Sequence, residues 1–173
     1  MAVGDRTVTG TVTIGVGNSA AGVETESGRT NTSAFTLSYT KAFTSGTGSG
    51  QIDELAQKTL TLAAAANELD IAGDLTSEAD ATAVSKSKVK ALIIENLSVT
   101  LSDNLTVGGA AENAWEGWTT EAGSTIVVPG GGALCLVAPG AGYTVTAETG
   151  DILKLDPGAE TFDVRVTLLG VRA

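Results

Sequence analysis

Apolar and polar residues alternate along most of this chain. Val8, Val12, Ile14 and Val16 hold even positions, with Thr7, Thr9, Thr11 and Thr13 between them. Phe35, Leu37 and Tyr39 alternate in the same way with Thr36, Ser38 and Thr40, and Leu60 and Leu62 with Thr59 and Thr61. Near the end, Phe162, Val164, Val166 and Leu168 share one face, and Asp163, Arg165 and Thr167 the other. A period of two marks a strand with one covered face and one wet face. Two segments are apolar on both faces: Val89 to Ile94 (VKALII) and Leu134 to Val137 (LCLV). They predict central strands, or strands covered on both sides by a neighbour.

Turn signals separate these runs: Gly108-Gly109, Pro129-Gly130-Gly131-Gly132, Pro139-Gly140-Ala141-Gly142 and Asp156-Pro157-Gly158. From Val89 onward they recur at the rhythm of a sandwich or barrel. The expected fold is therefore all-β, an antiparallel, jelly-roll-like β-sandwich. The stretch Ile52 to Leu69 is strand-like, with a helical turn expected around Asp53 to Gln57. Thr76 to Ser87 reads as an exposed polar loop. Gly/Ser/Thr/Asn-rich stretches at Asn18 to Thr32 and Thr44 to Gly50 read as long loops. The bulky apolar residues thin out before residue 50. Residues 1–50 thus predict either an N-terminal arm or hairpin that finds its partners on another chain, or further strands of one continuous domain. Residues 51–173 form the sandwich domain.

Composition narrows the chemistry. The 173 residues include 22 glycines, one cysteine and no histidine. Without histidine there is no Ser-His-Asp triad, no Cys-His pair and no His-ligated metal. A lone cysteine makes no internal disulfide and no thiolate zinc cage. Ten basic against twenty acidic residues give a net charge of −10. That balance opposes broad binding to nucleic acid phosphates or anionic membranes. The start, MAVGDRTVTG, does not read as a secretory leader, and no apolar run reaches the length of a membrane span. The Asn-X-Ser/Thr matches at Asn31, Asn96 and Asn104 read as chance in a hydroxyl-rich chain. No cofactor and no metal are expected, and no catalytic residue.

Several groups invite a sharper reading. The glycines at 130–132 are followed by a strand and not a helix, so they predict a hairpin turn in place of a phosphate cradle. Trp115 and Trp118 lie among Glu112, Glu116 and Glu121. An aromatic-tipped loop of this kind predicts a packing plug or an interface anchor, ahead of a sugar-stacking or acid–base site. Asp151, Asp156, Glu160 and Asp163 lack the EF-hand pattern and read as solvated loop acids. Cys135 reads as an inert core thiol. Lys86, Lys88 and Lys90 alternate, so they are expected on one face, as a solvated edge or as a contact for an acidic partner or second subunit.

Ordered segments in the second part of the chain carry a family likeness. They are Leu69 to Leu75 (LDIAGDL), Lys88 to Asn96 (KVKALIIEN), Leu105 to Gly109 (LTVGG), Ala114-Trp115, Val128 to Gly131 (VPGG), Leu134 to Thr146 (LCLVAPGAGYTVT), Asp151 to Leu155 (DILKL) and Phe162 to Gly170. Over about Leu69 to Val171 the chain resembles a recurrent family of small phage structural proteins. The first 68 residues match it less well. The resemblance implies a β-sandwich in the virion and brings no catalytic residues. The expectation is a capsid decoration (cement) protein, assembled in the host cytoplasm as a homo-oligomer on the major capsid protein or other virion proteins. An acidic surface favours the outside of the shell over the DNA-filled lumen. Trp115, Trp118, Val8, Val12, Ile14, Lys86 and Lys88 are the expected contact residues. A tail, neck or fibre component is the alternative within the virion. A carbohydrate-binding module with Trp115 and Trp118 as its platform is the alternative outside it.

Overall fold

The computed structural model describes residues 7–18, 25–26, 29–30, 35–73, 75, 85–119 and 121–173, and for residues 16–18, 25–26, 29–30 and 35–37 the backbone alone. Expectations that fall on residues 76–84, and on Asn31, lie outside the described residues. The chain divides into two units, Thr11–Ala42 and the remainder (Met1–Gly10 with Phe43–Ala173).

The smaller unit consists of β1 (Gly10–Asn18) alongside β4 (Phe35–Ser45), with β2 (Thr25–Glu26) and β3 (Arg29–Thr30) pairing antiparallel between them in sequence. Both long strands run one residue or more into the larger unit. There the end of β4 pairs in parallel with β5 (Gln51–Ile52), Thr44 opposite Gln51.

The larger unit holds the remaining strands: β6 (Glu54–Leu62), β7 (Asn67–Asp70), β8 (Lys86–Asn96), β9 (Leu105–Gly108), β10 (Thr125–Val128), β11 (Ala133–Val137), β12 (Tyr143–Thr144), β13 (Ile152–Asp156) and β14 (Phe162–Arg172). No helix occurs among the described residues. One sheet runs β11-β8-β14-β6, with β12 also on β8; the other runs β10-β9-β13-β7. Each named ladder within these two sheets is antiparallel. Setting aside the two-residue β12, the eight strands in chain order from β6 fall into the sheets as 1-8-3-6 and 2-7-4-5. Successive strands change sheet, except at the β9–β10 hairpin, and first and last lie side by side. This is the jelly roll.

One core lies between the two sheets. Leu62, Leu92, Ile94, Val164, Val166 and Leu168 come from one side and Leu69, Leu105, Val107, Val128, Leu153 and Leu155 from the other. The predicted faces of the last strand are observed: Phe162, Val164, Val166 and Leu168 are buried, and Asp163 is exposed. At Asp53 to Gln57 the expected helical turn is replaced by the start of β6. Two-residue alternation continues there, burying Glu54 and Ala56 and exposing Gln57. Antiparallel pairing to β14 across Glu54–Leu62 overrides the local helix propensity of the segment.

Two further expectations change, and one is observed. VKALII is central, with β14 on one side and β11 on the other. LCLV, however, is β11, an edge strand. The Pro129–Gly132 turn does not close a hairpin, because β10 and β11 belong to different sheets. It is a corner that carries the chain across the sandwich. A hairpin and a corner call for the same turn residues, so the sequence does not separate them.

Candidate functional site

The lysine run shows how pairing overrides pattern. On β8 the register against β14 passes from Ala91 (opposite Leu169) to Val89 (opposite Gly170), and from Lys88 (opposite Val171) to Lys86 (opposite Arg172). Lys90 and Ser87 are therefore extra residues, each making a bulge that breaks the alternation. The three lysines do not line one wet face. Lys86 is 1% exposed and Lys90 is buried, while Lys88 is half-buried. Lys86 Nζ donates to the Leu75 carbonyl at 2.7 Å. Burial pulls its pKa down, opposed by the charges of Glu54 and Asp70. Lys90 donates to the Gly140 carbonyl, and burial, with Lys88 nearby, lowers its pKa too. Buried Glu54 accepts from Arg172 Nε at 2.9 Å. These cations serve the interior, so Lys86 is not a surface contact.

The tryptophan loop is likewise turned inward. Trp115 is buried, and its backbone N–H donates to the Ile152 carbonyl at 2.8 Å. Its indole Nε1 donates to the Thr144 carbonyl, also at 2.8 Å. Tyr143 meets it edge-on at 6.1 Å between ring centroids. Trp118 is half-buried against the core, tilted at 6.5 Å from Trp115, and its Nε1 donates to the Trp115 carbonyl. Of the two readings left open by the sequence, plug and anchor, Trp115 fits the plug. Glu116 turns back on its own loop, accepting from the Gly123 N–H at 2.7 Å.

The four late acids do not converge. Asp156 caps its turn through the Gly158 N–H and pairs with Lys154 at 3.3 Å. Asp163 accepts from Thr61 on the outer face of β14, and Glu160 is exposed. Asp151 is buried and not solvated as expected: Oδ2 accepts from the Glu148 N–H and Oδ1 has no partner. Among the described residues no group of three or more His, Cys, Asp or Glu side chains is arranged to hold a metal. Cys135 is half-buried on β11, and desolvation raises its pKa, which suppresses the thiolate.

In the smaller unit, Val12 is buried and Ile14 and Tyr39 are exposed at 44% and 47%. Val8, in the larger unit, is half-buried and donates its N–H to Ser45 Oγ at 3.3 Å.

Among the described residues, the most exposed apolar surface of the larger unit is one that the sequence reading did not single out. It is built around Asn96, the buried last residue of β8. Its Nδ2 donates to the carbonyls of Asp103 (2.8 Å) and Val128 (3.1 Å), and its Oδ1 accepts from the Ser98 N–H (3.1 Å). Its backbone pairs with Gly131 and Gly132 of the corner. One residue thus ties loop 97–104 and the end of β10 through its side chain, and the sheet-crossing turn through its backbone, into one rim. Gly130 fits there because a Cβ would lie 2.0 Å from the Thr100 carbonyl oxygen. On this rim Val99 is 96% exposed, Leu101 79%, Val127 56% and Ile126 38%. A groove of about 490 Å³ runs beside it, lined by Leu97, Val99, Leu101 and the corner glycines Gly131 and Gly132 among others. Two acids beside it, Glu95 in the groove lining and Asp103 on the loop, are paired within the chain. Glu95 binds Arg165 through two hydrogen bonds of 2.6 and 2.8 Å, which hold its carboxyl below the usual range, and Asp103 accepts from Ser98 Oγ at 2.6 Å. The signal was present in the sequence: Leu97, Val99 and Leu101 alternate with Ser98 and Thr100, yet no strand forms there to hide them. Burial of Asn96, with Nδ2 engaged twice, also agrees with reading its Asn-X-Ser match as chance.

No family model, curated protein or solved structure matches the chain.

Proposed function

We propose that this chain is a virion structural protein, a decoration protein that binds the outside of a phage head and stabilises it by contact. One observation carries the reading. A jelly-roll body turns its buried lysines and Trp115 inward, and it offers the solvent an uncharged apolar rim on a molecule of charge −10. Jelly rolls recur in viral capsid and lectin domains, so the fold alone leaves both classes open. A lectin-like role gains nothing from the tryptophans, since Trp115 is buried and Trp118 half-buried. The family likeness over residues 69–171 adds support, and the acidic surface suits a place away from packaged DNA.

Its action is linkage: a protein that binds the mature lattice and not its disassembled state shifts the equilibrium toward the lattice. The test mixes the purified chain with expanded phage heads lacking their accessory proteins. Saturable binding and a higher shell melting temperature are expected. Absence of binding on every head tested refutes the reading, and self-assembly into rings or rods moves the chain to the tail.

A further inference from the structure

We draw no further inference here: the strongest candidate, the exposed apolar edge of β10 with the neighbouring loop 97–101, is the rim on which the proposed function already rests, and nothing in the structure shows what covers it.

Discussion

Replacing Asn96 by Ala removes three hydrogen bonds at once. The side chain is buried, and its partners are the Asp103 and Val128 carbonyls and the Ser98 N–H. Each net intramolecular hydrogen bond is worth about 1 kcal/mol, and a buried group left without a partner costs about 1–3 kcal/mol. Ser98 and Asp103 are half-buried, so water can reach part of what is lost there, while the Asn96–Val128 bond is fully buried. The expected loss is about 3 kcal/mol. For a chain of this size that is a fall in Tm of roughly 6–12 °C. Tryptophan fluorescence reads the transition, since Trp115 leaves the core on unfolding. Asn96→Asp sharpens the test. It keeps the acceptor for Ser98, deletes both donors and faces two carbonyls with a carboxylate. It should be at least as destabilising at neutral pH and recover in part in acid, where a protonated carboxyl donates once. A melting temperature for Asn96→Ala within about 2 °C of the parent, equivalent to under ~1 kcal/mol, would refute the keystone role.

Three other outcomes are expected. Gly130→Ala should cost about 1–3 kcal/mol in urea unfolding, because its Cβ would strike the Thr100 backbone and no flexible side chain can yield. Arg165→Leu should destabilise the protein at neutral pH but progressively less in acid. The Glu95 carboxyl is held below its ordinary value of 4.5, so the stability it contributes is present above that value and lost as pH falls through its folded-state pKa. An effect of Arg165→Leu that is the same across the pH range contradicts the pairing. Cys135 should react with iodoacetamide more slowly than free cysteine at neutral pH and faster once the chain is unfolded; equal rates in the two states would contradict the desolvation of its thiol.

Much of the architecture was legible, and the failures share a cause. Alternation placed the faces of β14 and the outer half of β6, because a half-buried strand writes its environment into its own sequence. Strand order was not written there. Nothing local tells LCLV that it lies at an edge, or distinguishes a Pro129–Gly132 corner from a hairpin, since both facts depend on which strands become neighbours. The bulges at Ser87 and Lys90 are likewise set by the partner strand, and they turned a supposed basic face into two buried lysines. The tryptophans were visible, but plug and anchor demand the same residues. The rim was overlooked for the opposite reason. Its apolar residues resemble those of an ordinary strand, and only their exposure sets them apart.

The position of β14 governs how the protein comes into being. Its residues pair with β6 on one side, Phe162 with Leu62, and with β8 on the other, Val166 with Ile94. A ribosome delivers β6 and β8 long before β14, and the two earlier strands have no place beside each other without it. That sheet must wait for the C-terminal segment, holding apolar strands open during synthesis and making folding slow by the standards of local topologies. A chain cut before Phe162 would lack the central seam of its sheet, and would be expected to aggregate or be degraded instead of persisting as a smaller version of the domain.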